Sequence, residues 1–469
     1  MTPATHLDLY QLTSLVPHWD SSRGQMPVTM SFFSRRLPQT LGGDPARGYL
    51  LWTGLRRCLE WLGQARFEEG RIESLLGHPT LGDALSARPG MVDDLRRWSF
   101  NGLISSPPEG TPIWAGRAEG PDGQLVDIDG VRPAAQTPYL VVQTDLLTAK
   151  LIETPLLSII NHMTMVGSKA ARVCEAAKDR AVLEFGTRRT HPMAAVDAAY
   201  AAYIGGCAGT SNVEAYHRYG IPAMGTMDHF AIQSWEAEGV ARHESERAFF
   251  EAFYRAYPHG SVLLVDTYDA YGPKTGIPAA VAATKGQLAG IRLDSRISVE
   301  NVKRARAMLD QLGAPQAKIV VSGGMDEHSI AALADAPVDA FGVGERIVTS
   351  PDAPVGVGAV GKICEVNGLP SMKLSRGSGK ATLPGRVQVF RHEGRDTVAC
   401  HGEDRPGTAL LMPVWTEHGP EALPTPSDVR DYAAQCIAAL PPTSREARQV
   451  NVPISEALYA LIKDLVEQR

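Results

Sequence analysis

The chain lacks most of the features that would commit it to metal, membrane or nucleic acid. Its six cysteines (Cys58, Cys174, Cys207, Cys364, Cys400 and Cys436) are scattered, and no two form a CxxC pair. Zinc-site and thioredoxin-like readings therefore have no support, and a reducing compartment suits such usage. No run approaches the ~18 consecutive apolar residues of a membrane helix. There is no basic tract and the formal net charge is -6, so no nucleic-acid partner is expected. The opening MTPATHLDLYQLTSL has neither the basic start nor the apolar stretch of a signal peptide, which makes the cytoplasm the expected location. GxGxxG and HExxH are absent. Arg376-Gly377-Ser378-Gly379-Lys380 imitates a Walker A loop, but that spacing needs glycine where Leu374 stands, and no clear buried strand precedes it.

What is present is ordinary globular material: 469 residues, 44% hydrophobic and 21% charged. That length allows about two or three domains. From residue 181 to about 370 the pattern becomes regular. Apolar runs at 181–186, 221–227, 261–267, 288–293, 317–322 and 338–343 read as strands. Amphipathic helices separate most of them, as at 298–312 and 326–334. Alternation of this kind implies parallel strands with right-handed crossovers, and the continuous apolar runs SVLLVD and AKIVVSG fit strands buried on both faces. The expected fold class is α/β: an incomplete parallel β/α barrel, with an α+β domain built from the N-terminal and C-terminal segments. The expected domains are 1–150 (N-terminal α+β), 151–370 (barrel, catalytic) and 371–469 (a flap and a segment returning to the α+β domain).

Elsewhere the local signals are simpler. Residues 8–12 read as a helix start with Tyr10 in the first turn, and 28–33 as a strand running into Arg35 and Arg36. Adjacent arginines at a strand end either grip phosphate or form a solvated turn. Thr154-Pro155 reads as a helix start, with threonine as N-cap and proline at the first helical position. On that helix His162 and Lys169 read as structural. Residues 111–143 read as a small antiparallel region. Lys373, Lys380, Arg386 and Arg391 share one stretch that is either surface charge or a basic flap over an anionic ligand.

In a β/α barrel the chemistry gathers at the C-terminal strand ends. Here those ends carry Phe185 and Arg188; Thr226 and His229; Asp266 and Asp269; Arg292, Asp294 and Ser295; Ser322, Gly323 and Gly324; and Gly342 and Gly344. SGGMDE opens a helix, so its N–H groups and the helix N-terminus are expected to hold a phosphate, and GVG is a second turn of the same kind.

Read together, these motifs resemble the nicotinate phosphoribosyltransferase family over nearly the whole chain. The resemblance rests on LDLYQLT (7–13), SRRLP (34–38), SKAARV (168–173), EFGTRR (184–189) and GTSNV (209–213). It continues through YGIPAMGTMDH (219–229), LVDTYD (264–269), IRLDS (291–295), SGGMDE (322–327), FGVG (341–344) and the KLS-to-Arg391 stretch. It implies joining of nicotinate to 5-phosphoribosyl 1-diphosphate, giving nicotinate mononucleotide and diphosphate in NAD salvage. ATP hydrolysis would be coupled through a phosphohistidine, which falls at His229. Phe185 and Tyr10 would sandwich the ring, Tyr10 being donated by the other subunit of a homodimer with a shared active site. Arg188, Ser211, Thr226 and Arg292 would contact nicotinate. Ser211 stands where nicotinamide-using relatives have an acid that would repel a carboxylate. Asp294 and Ser295 would face the ribose. Ser322, Gly323, Gly324, Gly342 and Gly344 would hold the 5-phosphate. Arg35, Arg36 and Lys373 would face the diphosphate, bridged by Mg²⁺ with ligands left unassigned.

Three positions depart from the family pattern. Arg296-Ile297 follows RLDS where Gly-Asp is usual, Glu345 replaces the threonine of GVGT, and Asp228 precedes His229 where a small residue is common. Glu345 and Arg296 are expected to form a compensating pair. The alternatives are a relative using nicotinamide, quinolinate or another heteroaromatic acid, and a non-catalytic paralogue that binds a phosphoribosyl ligand.

Overall fold

The computed structural model describes residues 3–35, 37, 48–350, 357–446 and 450–468. It is a mixed α/β structure in two compact units, 1–168 with 351–469, and 169–350. Arg36 lies outside the described residues.

The first unit is built on an antiparallel sheet in the order Leu369–Pro370, Ala359–Val366, Pro27–Ser34, Leu140–Asp145, Leu103–Ser106, Met412–Thr416, Gly419–Pro420. Three smaller sheets join it. One contains the antiparallel pair Ala115–Glu119 and Ala134–Gln136. The strand at Pro27–Ser34 is buried after its first residue, because it pairs on both sides and its phenylalanines fill the interior. Large rings complete this core; Trp52 and Tyr139 pack with centroids 5.0 Å apart.

The helix expected to begin at Thr154-Pro155 instead spans Leu146–Ala177, with Pro155 inside it. Asp145, the last residue of the preceding strand, accepts the Thr148 N–H at 2.7 Å and thereby starts the helix earlier. The proline removes one N–H donor but does not end a helix held by burial along its length.

The second unit carries a parallel sheet whose strands we label in chain order: β1 (Ala181–Glu184), β2 (Gly209–Thr210), β3 (Val262–Leu264), β4 (Gly290–Leu293), β5 (Lys318–Val321) and β6 (Ala340–Val343). Their spatial order is β3-β4-β5-β6-β1-β2. Val182, Leu263, Ile291, Ile319, Phe341 and Val343 are buried, as continuous apolar strands require. Helices alternate with the strands, including Pro192–Ile204, Gly276–Thr284 and Val299–Gln311.

The strand expected at 221–227 does not form. Its place is taken by an extended segment that links the two edges of the sheet. On one side Ala223 bridges Thr210 of β2, and the Met224 N–H donates to the Thr210 carbonyl at 2.7 Å. On the other, the Met227 sulfur accepts the Leu264 N–H of β3 at 3.5 Å. Pro222 has no N–H to give, so a continuous ladder is unavailable there. The sheet is therefore an open parallel arc among the described residues.

Candidate functional site

The strand ends of the second unit converge by contacts that can be followed residue to residue. β6 lies next to β1, so Gly342 faces the residue that follows β1, Phe185. A methyl group on Gly342 would stand 2.5 Å from Cδ2 and Cε2 of the Phe185 ring and 3.1 Å from the Ser322 Cβ. Glycine is thus what lets the aromatic ring lie flat against β6. Gly344 similarly makes room for the Phe185 carbonyl, 2.8 Å from where its Cβ would be.

From Ser322 the contacts continue. Its hydroxyl donates to Asp294 Oδ1. Asp294 Oδ2 lies 3.9 Å from His229 Nε2, whose ring partner Nδ1 sits 3.1 Å from Thr267 Oγ1. Asp266 Oδ2 accepts both the Asp294 N–H at 3.0 Å and the Ser295 hydroxyl at 2.6 Å. Asp266 Oδ1 is buried and has no hydrogen-bond partner. Arg292 donates from Nη1 to Thr226 Oγ1 at 3.1 Å, while its Nε is buried and unpartnered. Burial holds this guanidinium below its ordinary pKa; the charges of Asp294 and Asp266 oppose that, and Arg188 lowers it further. Two orphaned polar atoms of opposite character, Asp266 Oδ1 and Arg292 Nε, belong to side chains that interact electrostatically and mark a place suited to a polar ligand.

Thr187 Oγ1 and Ser211 Oγ are 3.4 Å apart, so the turn after β1 and the end of β2 present two hydroxyls side by side. Gly323 and Gly324 both have positive φ (92° and 67°). A Cβ on Gly323 would collide with the Asp294 carbonyl at 2.0 Å, so the turn needs glycine there.

The helix after this turn has part of its N-terminus already engaged. The Asp326 carboxylate accepts the Ser329 N–H at 2.8 Å as its cap. The two glycines of the turn are exposed and available to an anion. Asp228, the departure beside His229, plays the same capping part in its own loop. It accepts the Ala231 N–H at 2.8 Å and caps the helix His229–Gln233. Arg296 has a positive φ of 51°, a conformation that favours glycine, and its carbonyl accepts Asn301 Nδ2 at 2.7 Å. The expected Glu345–Arg296 pair is replaced by another. Glu345 lies 3.8 Å from Arg189 Nε, because β6 and β1 are neighbours and bring their following turns together.

Tyr10, Arg35 and Lys373 belong to the first unit. Tyr10 is 55% exposed on the helix Leu9–Asp20; partial burial and the nearby Glu153 and Asp8 raise its phenol pKa. Arg35 follows the strand Pro27–Ser34, and its Nε is buried without a partner. Lys373 lines a cleft of about 350 Å³ together with Lys150, Glu153 and Lys362. Among the described residues no cluster of three acidic, histidine or cysteine side chains is preassembled for a metal.

Two contributors escape a reading of sequence alone. Thr267 sits within LVDTYD, but nothing in that motif marks it as the partner of an imidazole nitrogen. Glu184 looks like an apolar strand's last residue, yet it is a buried carboxylate.

Comparison with known proteins follows the same lines. Residues 166–353 match the model of the quinolinate phosphoribosyl transferase C-terminal domain. A nicotinate phosphoribosyltransferase of Mycobacterium tuberculosis is 36% identical over 461 residues, covering 94% of this chain and 88% of that protein. One of Bacillus subtilis is 32% identical, covering 88% of this chain and 79% of its own length. Among solved structures, human nicotinic acid phosphoribosyltransferase shares the fold with a TM-score of 0.77 at 24% identity, covering 98% of this chain and 99% of that one.

Proposed function

The chain belongs to the nicotinate phosphoribosyltransferase family, and on that premise we propose that it joins nicotinate to 5-phosphoribosyl 1-diphosphate, releasing diphosphate, as a step of NAD salvage. The observation that carries the reading is the unbroken line of contacts from Phe185 through Gly342, Ser322 and Asp294 to His229. It supplies a flat aromatic face, a glycine-lined anion cradle and an imidazole in one place.

In this reading the pyridine ring lies on Phe185. Its carboxylate is taken by the unpartnered Arg292 Nε with Arg188 beside it, a charge-assisted contact in a partly dry site. Thr226 holds the guanidinium in place, and the hydroxyls of Thr187 and Ser211 face the carboxylate without opposing its charge. Asp294 and Ser295 receive the ribose, and the Gly323-Gly324 turn with Gly342 and Gly344 receives the 5-phosphate. Arg35, Arg36 and Lys373 are assigned to the diphosphate. The bond from C1 to the leaving diphosphate breaks with an oxocarbenium-like transition state. Catalysis is then mainly stabilisation of the leaving charge and alignment of the ring nitrogen.

Asp266 Oδ1, buried without a partner, fits a hard cation. With Asp294 it would help hold Mg²⁺, which when bound neutralises phosphate charge. His229 is assigned as the residue phosphorylated by ATP. A homodimer is proposed in which Tyr10, exposed on its own unit, completes the ring sandwich of the second copy. Among the described residues no helix is long and apolar enough to cross a membrane, and six free cysteines support a cytoplasmic location. Quinolinate is disfavoured because Arg189, the second arginine of EFGTRR, faces Glu345.

The test is mononucleotide formation from nicotinate, nicotinamide and quinolinate, each with and without ATP. Nicotinate should be used well ahead of the other two, and ATP should raise its turnover. Absence of any mononucleotide would favour a non-catalytic, ligand-binding role.

A further inference from the structure

Glu184 has no part in the roles above. It ends β1, one residue before Phe185, and is 1% exposed. A buried carboxylate is ordinarily retained beside a cation or a metal. Here the hydrogen bonds go to uncharged groups. Oε1 accepts the Gly186 N–H, and Oε2 accepts the Thr210 hydroxyl at 2.5 Å. Its main-chain carbonyl accepts the Ser211 N–H at 2.8 Å. Thr210 Oγ1 in turn accepts the Asn212 N–H at 3.0 Å. Burial raises the carboxyl pKa, and the bonds from Thr210 and Gly186 oppose that rise.

One side chain therefore ties the turn after β1 to the end of β2. These are the two stretches that present Phe185 and Thr187 on one side and Ser211 on the other. The turn has no slack: a Cβ on Gly186 would stand 2.7 Å from Glu184 Oε1 and 2.5 Å from a Val348 methyl. We propose that Glu184 is a positioning residue that sets the width of the ring slot, its two oxygens holding the Phe185–Thr187 turn against Thr210–Ser211 so that the paired hydroxyls meet the substrate carboxylate. The proposal rests on the nicotinate reading given above. An apolar residue of similar size would fill the space but leave the Gly186 N–H and the Thr210 hydroxyl unpartnered.

The variants Glu184→Gln, Glu184→Ala, Thr210→Val and the Ala/Val double are compared by steady-state kinetics and by amide hydrogen exchange of peptides covering 184–189 and 209–213. Glu184→Ala should raise KM for nicotinate about tenfold or more and leave KM for 5-phosphoribosyl 1-diphosphate within about twofold, as loss of one slot brace predicts. Glu184→Gln should stay within about threefold of wild type, because its amide offers an acceptor to Gly186 and a donor to Thr210. Thr210→Val should move nicotinate KM in the same direction, and the double variant should be no worse than Glu184→Ala, since both break one link. Exchange at Gly186 and Ser211 should quicken in Glu184→Ala.

Unchanged nicotinate KM in Glu184→Ala, equal rises for both substrates, or raised KM with unchanged exchange would each overturn the proposal. If Glu184→Ala does not fold, wild-type nicotinate KM in Thr210→Val overturns it. A wild-type protein that makes no mononucleotide refutes the functional reading instead, and the exchange comparison then decides the brace by itself.

Discussion

Nε2 of His229 stands 3.9 Å from Oδ2 of Asp294, too far for a hydrogen bond. The other ring nitrogen is engaged by Thr267 at 3.1 Å, and the side chain is 41% exposed. Nε2 is consequently the nitrogen open to attack on a phosphoryl donor. With ATP, wild-type protein should form an acid-labile phosphohistidine bearing phosphorus on Nε2, read by phosphorus NMR. His229→Ala should lose both this signal and all stimulation of turnover by ATP, while a low ATP-independent turnover persists. Full ATP coupling in that variant would remove His229 from the role.

Arg292 combines a bond to Thr226 with a buried, unpartnered Nε. Arg292→Lys keeps the charge and loses the planar donor set. Loss of a charge-assisted contact is worth about 1.5–3 kcal/mol, so nicotinate KM should rise roughly 10- to 100-fold. KM for 5-phosphoribosyl 1-diphosphate should change far less. Parallel changes in the two constants would place Arg292 elsewhere.

Arg296 occupies a backbone conformation that suits glycine, with φ at 51°. Relieving it should stabilise the fold even though glycine gains more freedom on unfolding. Arg296→Gly is expected to add about 0.5–1 kcal/mol, measured by urea denaturation. Turnover of nicotinate should stay near wild type, because Glu345 is paired with Arg189 and does not depend on Arg296. A loss of stability would mean that the side chain of Arg296 has a partner worth more than the strain.

Glu246 is fully buried, accepting the Gly276 N–H at 2.9 Å through Oε2 while Oε1 has no partner. Burial raises its carboxyl from 4.5 to about 7, the Gly276 bond opposing and Asp269 adding to the rise. The folded chain thus keeps a proton that the unfolded chain releases above pH 4.5, and stability from this group falls as pH climbs from about 4.5 to about 7. The change is on the order of 3 kcal/mol. Tm measured from pH 5 to 8 should fall for wild type relative to Glu246→Gln, and the two curves should run parallel above that window. A constant difference throughout would show that Glu246 does not titrate there.

Much of this was legible in the order of residues. Parallel strands announce themselves as continuous apolar runs, and capping residues such as Ser298 and Asp326 stand directly before the helices they begin. The strand-end residues Phe185, Asp294, Ser322 and Gly342 could be named because motif identity is a local property of the chain. What misled was also local. Thr154-Pro155 reads as a helix start, but the Asp145 side chain overrides it from outside the window.

The amino-acid order alone determined the fold class and the family, since each is written in short-range periodicity and in the identity of side chains. Tertiary structure decided the partnerships. Phe185 meets Gly342 because β6, last of the six in sequence, lies beside β1, the first. Glu345 faces Arg189 for the same reason, and a carboxylate as costly to bury as Glu184 is held by a turn and a neighbouring strand. Such pairings depend on which strands become neighbours, and strand order is set by packing over the whole sheet rather than by any window of sequence.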